Sequence, residues 1–313
     1  MKPISIRFTI SYLLLAITLL NADKGMIPLV RPDIDLYNPA QRAIIVWNGK
    51  EEIIVLSTNV SSSEPTKVLE ILPLPNKPQV TQGDFEIFYR MNQIIYEKSR
   101  QLLSKHILSS RKGTSLESES SVRILFQKKI GAHFLTCVRA LNYQELLRWI
   151  KQFLQDQNIT EIQIPEKFPE IIKHYFDSRI YYFVFDIIEL NLQESSITPI
   201  IYRFKSDALY YPLLISALAE GKTEIQLFTI TPGKLDIWDV PFPLQYAYYE
   251  IEGEKIRPIC FPLEQKELQS LFTDKNSLLP VKNPYLSVFH FYGYLYQLNK
   301  DLRIKRLLNY FKY

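Results

Sequence analysis

Glycine and histidine are scarce in this 313-residue chain, with nine and four copies. No two glycines stand closer than the twelve positions between Gly221 and Gly233. Phosphate-cradling loops need several glycines within a few residues, so that bare backbone can approach the ligand. Walker-type and dinucleotide-binding fingerprints are therefore excluded, as is the Gly-x-Ser-x-Gly elbow of α/β-hydrolases. The histidines, His106, His133, His174 and His290, include no helical ligand pair. His133 and Cys137 share a face of one predicted strand, but four residues of strand separate them by roughly 13 Å, too far to share a metal. His133 reads as a core or strand-edge histidine, and the sequence calls for no metal and no cofactor.

Cysteine is scarcer still: Cys137 and Cys260 are the two in the chain. In an oxidising compartment they are candidates for one disulfide, worth about 4 kcal/mol in the chain-entropy model. Two separately buried thiols are the favoured alternative, because a chain this long needs no staple to fold.

Clustered positive charge is also missing. The net charge is +4, but the excess sits at the two ends. Residues 1–22 carry +2 and residues 300–313 carry +4, leaving −2 for the body. A nucleic-acid-binding domain needs a dense basic field to capture phosphates, so no nucleic-acid partner is expected.

What is present begins with an export signal. Lys2 and Arg7 precede the apolar run Phe8–Leu20, and Asn21-Ala22 leads to Asp23-Lys24. A basic start, a short apolar centre and a small residue at the end form a secretory signal peptide over residues 1–22. Cleavage is expected between Ala22 and Asp23. The apolar run is short of the about 20 residues a membrane helix needs. The expected location is periplasmic, cell-surface or secreted, with an uncleaved N-terminal anchor as the alternative.

Hydrophobic residues make up 47% of the chain, enough for a substantial core, and 20 Tyr with 18 Phe favour strands. Asn48-Gly49 between the β-branched runs 41–47 and 51–60 is the strongest hairpin signal, since both residues tolerate φ > 0. Strands are also predicted over 67–74, 122–129, 132–140, 180–189, 197–205, 212–219, 223–231, 245–252 and 254–260, with 285–298 extended. Helices are predicted over 84–108, after Asn142 (with Glu145 placed for a capping box), after Pro165, and over 264–272. Many strands with short connections imply α+β: mainly antiparallel sheet with a few packed helices. The polar stretch 109–121 is the candidate division of the 23–299 body into two lobes. Its Ser109-Ser110-Arg111-Lys112 matches a Ser-x-x-Lys pattern without the partners that chemistry needs.

Four acids stand out. Asp186 interrupts the apolar run 181–188, and a hairpin centred between Glu194 and Ser195 would set it opposite Arg203. This predicts a structural cross-strand ion pair, Asp186–Arg203. Asp236 and Asp239 flank Trp238, an arrangement sugar-binding sites use and ordinary turns share. With Asp207 these acids are the candidates for a dispersed carboxylate site. At the C-terminus, Ile304, Leu307, Leu308 and Phe311 follow i, i+3, i+4, i+7 with basic residues beside them. That pattern predicts a basic amphipathic helix over 300–313, docked on its own domain or in peripheral contact with a membrane.

Several phrases resemble one family. They are Ala22-Asp23-Lys24-Gly25-Met26-Ile27-Pro28, Trp47-Asn48-Gly49, Glu64-Pro65-Thr66-Lys67-Val68-Leu69 with Leu72-Pro73-Leu74-Pro75, and Gly131-Ala132-His133. Tyr182-Phe183-Val184-Phe185-Asp186, Pro199-Ile200, Tyr202-Arg203-Phe204-Lys205-Ser206-Asp207 and Tyr210-Tyr211-Pro212 continue the pattern. Over about residues 23–231 the chain resembles the prokaryotic exported proteins of domain of unknown function 2330. The resemblance implies an envelope or secreted protein and supplies no activity, cofactor or catalytic residue. Together these features favour a non-enzymatic binding or scaffold role toward an envelope or extracellular partner. An envelope hydrolase with a carboxylate site assembled from Asp186, Asp207, Asp236 and Asp239 is the alternative.

Overall fold

The computed structural model describes residues 27–28, 36–62, 66–102, 123–157, 159, 164–190, 197–251, 254–272 and 278–308. The predicted leader, its Ala22–Asp23 cleavage point and the 109–121 stretch lie outside them. From the N-terminus, β1 (Ile27–Pro28), β2 (Leu36–Trp47), β3 (Glu51–Ser62), β4 (Thr66–Leu74) and β5 (Gln79–Gln82) precede helix α1 (Glu86–Leu102). β6 (Arg123–Ile130) and β7 (His133–Arg139) lead to helices α2 (Tyr143–Asp156) and α3 (Phe168–Asp177). β8 (Tyr182–Leu190), β9 (Ile200–Lys205), β10 (Leu209–Tyr211), β11 (Lys222–Thr231), β12 (Lys234–Leu235) and β13 (Gln245–Tyr246) follow. The chain continues through β14 (Tyr248–Ile251), β15 (Glu254–Pro258), β16 (Cys260–Pro262) and helix α4 (Gln265–Leu271). β17 (Tyr285–Tyr294), β18 (Leu302–Ile304) and β19 (Leu307–Leu308) close it.

Two sheets carry the fold, which is α+β. The smaller runs β1-β4-β8-β7-β6, and the larger runs β13-β17-β11-β2-β3-β9-β5 with β16 also on β17. The pairings are antiparallel except β2 with β11. The run Ala43–Trp47 is buried without alternation because each face of its sheet is covered. Ala43, Ile45 and Trp47 join the main core, while Ile44 and Val46 pack with Ile87, Phe88 and Met91 of α1 and Leu268 of α4. In the smaller sheet, Phe183 and Phe185 of β8 meet the rings of Phe176 on α3 and Trp149 on α2, with centroids 5.7 and 5.2 Å apart. Val184, Asp186 and Ile188 alternate to the opposite face, toward the larger sheet. The layers are thus α2 and α3, the smaller sheet, the larger sheet, then α1 and α4.

Local signals explain the turns and caps. Gly49 has φ +96°, and the Asn48 side chain accepts hydrogen bonds from the amides of Lys50 and Glu51. The Asn142 side chain caps α2 by accepting from the amides of Gln144 and Glu145. Pro169 sits in the first turn of α3, where its missing N–H costs nothing.

Four expectations are corrected. Residues 214–218 form a 3₁₀ turn, not strand. Strands from either side of 109–121 interleave in both sheets, β4 with β8 and β3 with β9, so that segment does not divide the body into lobes. The basic tail is not helical over its described part: Leu302 and Ile304 are fully buried on β18, which pairs with β10, and β19 pairs with β12. A two-residue spacing of buried side chains overrides the helical spacing read from sequence. The β8–β9 hairpin does not form. β8 lies between β4 and β7 and β9 between β3 and β5, so Asp186 and Arg203 belong to different sheets. Of the two alternatives for the cysteines, the structure has the favoured one: Cys137 and Cys260 are free thiols, the first buried on β7 and the second partly exposed on β16 of the other sheet.

Candidate functional site

Between the two sheets lies a polar cluster. Glu70 and Asp186 are register partners on β4 and β8, and both are buried. His133, at the start of β7, places Nδ1 2.5 Å from Asp186 Oδ2 and Nε2 3.1 Å from the Thr198 carbonyl. A carbonyl only accepts, so Nε2 carries a hydrogen and the Nδ1–Oδ2 contact holds one further proton. Both ring nitrogens are therefore engaged, and neither is left to act as a base on a substrate. The dyad ties the smaller sheet to the segment that leads into β9. Tyr202 of β9 lies across from it, and burial first, then the charges of Asp186 and Glu70, hold its phenol well above the usual range.

Two further acids, buried Glu52 and half-buried Asp301, are also structural. Glu52 on β3 accepts from the Tyr210 amide at 2.8 Å, and burial pushes its carboxyl well above the usual range. Asp301 accepts from the Leu214 amide (2.9 Å) and from the hydroxyls of Tyr175 (3.2 Å) and Tyr210 (3.0 Å). Burial pushes its carboxyl up to about 6, against the lowering effect of those donors. The Cys137 thiol is likewise pushed up to about 12 by burial.

The acids read from sequence are thereby dispersed. Asp186 bonds His133, while Arg203 bonds Glu51 at 2.8 Å, so the predicted Asp186–Arg203 pair is replaced by two others. Asp207 binds Arg303 and Lys305. Burial raises its carboxyl, but those cations outweigh the effect and leave it below the usual range. Asp236 caps the Trp238 amide, and Asp239 takes both Nε and a terminal nitrogen of Arg306 at 3.1 and 2.7 Å. No group of three or more metal-ligating side chains is placed to hold an ion among the described residues.

One feature among the described residues that no such pairing occupies is a surface. Trp238 is 89% exposed and Phe242 76%, with Ile237 and Leu308 each 43%. They sit on or beside the turn between β12 and β13, anchored at either end by buried Leu235 and Leu244. β13 runs antiparallel to β17 with Gln245 opposite His290. The turn thus approaches the end of β17 that carries exposed Tyr292 and Tyr294, with Tyr296 just beyond. The rings of Tyr294 and Tyr296 stack at 5.4 Å, and Lys222 lies over Tyr294 at 4.8 Å. Sequence reasoning noticed Trp238 for its flanking acids but missed Phe242. The signal was the Val240-Pro241-Phe242-Pro243 stretch, where two prolines hold an aromatic residue out of any ladder.

A family model described as an uncharacterized protein conserved in bacteria matches residues 25–249. No protein of curated function matches the chain. Its structure is similar to that of baculovirus P35, at 13% identity and a TM-score of 0.44, covering 88% of this chain and 98% of that one. It is also similar to a mutated baculovirus P35 after caspase cleavage, at 12% identity and a TM-score of 0.43, covering 85% and 96%.

Proposed function

The chain belongs to this family of uncharacterized proteins conserved in bacteria (DUF2330), and from that premise we propose that it is exported and works at the cell envelope as a binding or scaffold protein. The export half of the reading is supported by the residue pattern of 1–22. The binding half is carried by one observation: Trp238 stands almost wholly in solvent on a turn braced from several directions. A contiguous exposed apolar patch on a folded domain marks an interaction site, and Trp is among the residues that dominate such sites. The carboxylates that a hydrolase would need are each committed to a different structural partner.

Fractionation of a bacterial host tests the proposal. The protein is expected outside the cytosol with Asp23 as its first residue. The W238A/F242A variant, at unchanged Tm, is expected to lose retention on the envelope fraction. An intact chain in the cytosol, or equal retention of the variant, rejects it.

A further inference from the structure

We propose that the Trp238 turn docks on an anionic lipid surface. This rests on the envelope reading above and names the partner of that surface. Three observations converge on it. The first is the mixture of side chains. Ile237, Trp238, Phe242 and Leu308 combine aromatic and aliphatic groups, and Trp favours the level of lipid headgroups while its apolar neighbours enter the acyl boundary.

The second is charge. Lys234 is the register partner of Leu308, and Arg306 is clasped to Asp239 beside Trp238, so cations border the apolar group directly. Lys300, Arg303 and Lys305 extend the basic segment. The acids nearby include Asp207, Asp236, Asp239 and Asp301, and Glu224 opposite Tyr292, which pairs with His290. Asp301 is turned inward to Tyr175 and Tyr210, leaving the outward balance positive. Such a border attracts anionic headgroups over a Debye length.

The third is the backbone. A polar group taken out of water without a partner is costly, and in lipid no water replaces the lost bond. In this turn the amide of Trp238 donates to the Asp236 side chain and that of Asp239 to the Asp236 carbonyl. Val240 donates to Ile237 and Leu244 to Pro241, while Pro241 and Pro243 have no N–H to satisfy. Four amides of the projecting segment are thus satisfied within the turn and two positions have none, which lowers the cost of entry into a low-dielectric layer. A glycan would instead seek free hydrogen-bonding acids beside the aromatic ring, and Asp236 and Asp239 are already engaged.

Tryptophan fluorescence on the full chain tests this locally, whatever the leader does. Trp47 is buried and Trp149 is half-buried against Phe153 and Phe185, so Trp238 is by far the most exposed of the three tryptophans, and W238F isolates its share of the signal. On phosphatidylglycerol vesicles containing brominated acyl chains, the wild type is expected to shift to the blue and to be quenched. W238F is expected to lose that quenching. F242A is expected to bind roughly tenfold more weakly, because it removes an aromatic group that binding buries. High salt or phosphatidylcholine vesicles are expected to reduce the signal. Vesicle binding without quenching of Trp238, or equal quenching on neutral vesicles, overturns the inference. Should vesicles fail while W238A/F242A still loses envelope retention, the lipid is wrong and the surface meets a protein. Should retention also be unaffected, the envelope reading falls with it.

Discussion

Glu70 and Asp186 face each other across the β4–β8 ladder, both buried, and His133 bonds Asp186 from the neighbouring strand. A buried ion pair is worth little against an apolar replacement, whereas removing one partner leaves the other buried and uncompensated. H133A is therefore expected to destabilise by about 3–5 kcal/mol. H133L/D186L, which fills the same space without charge, is expected to recover most of that loss. Urea denaturation of H133L, D186L and the double gives the coupling energy. Additive single effects would show that the dyad is not a unit.

The two thiols offer a simpler check. Burial holds the Cys137 thiol at about 12, far from the thiolate form that reacts, whereas Cys260 is partly exposed on the other sheet. Iodoacetamide at about pH 8 is expected to label Cys260 in the native protein and Cys137 only after unfolding. Migration is expected to be the same with and without reductant. A reductant-sensitive shift would contradict the assignment of both cysteines as free.

Much of the fold was legible because its signals are local. Asn48-Gly49 specified the β2–β3 hairpin through backbone conformation alone, and Asn142 specified the start of α2 through two amide bonds. The failures were non-local. Arg203 and Asp186 were matched by symmetry about a turn, but β8 and β9 join different layers, and strand neighbours are chosen by core packing that no local pattern encodes. The tail failed for a related reason. Ile304, Leu307 and Leu308 fit a helical stripe equally well, and only pairing with β10 and β12 decides for strand. The aromatic turn was half legible: Trp238 was visible, but its exposure depends on where Leu235 and Leu244 are anchored.

The replacement partner of Arg203 is testable by the same cycle. Its ion pair with Glu51 is about one-quarter exposed on each side, 27% for both side chains. A coupling of about 0.5–1 kcal/mol is expected between R203A and E51A, as for a partly exposed pair. Coupling of that size between R203A and D186N in its place would restore the hairpin pairing and contradict the sheet order.

Asp301 makes the strongest pH prediction. Its carboxyl rises from the ordinary 3.8 to about 6 in the folded chain, so the native state holds a proton that the unfolded state has released across that window. A raised folded pKa in an acid means stability that is present below about pH 4 and lost as pH rises through about 6, on the order of 3 kcal/mol at about 1.4 per unit. D301N keeps the shape without the titration and is expected to flatten the fall in Tm between those values. D301A is expected to destabilise at every pH, because it strands the Tyr175 hydroxyl and the Leu214 amide. Ending the chain after Asn299 removes Asp301 together with buried Leu302 and Ile304, and is expected to abolish cooperative unfolding. A docked amphipathic helix would leave a stable body behind on that deletion. A truncated chain with an unchanged Tm would therefore favour the helix over the β10–β18 pairing, and the identical pH slope of D301N and wild type would remove Asp301 as its cause.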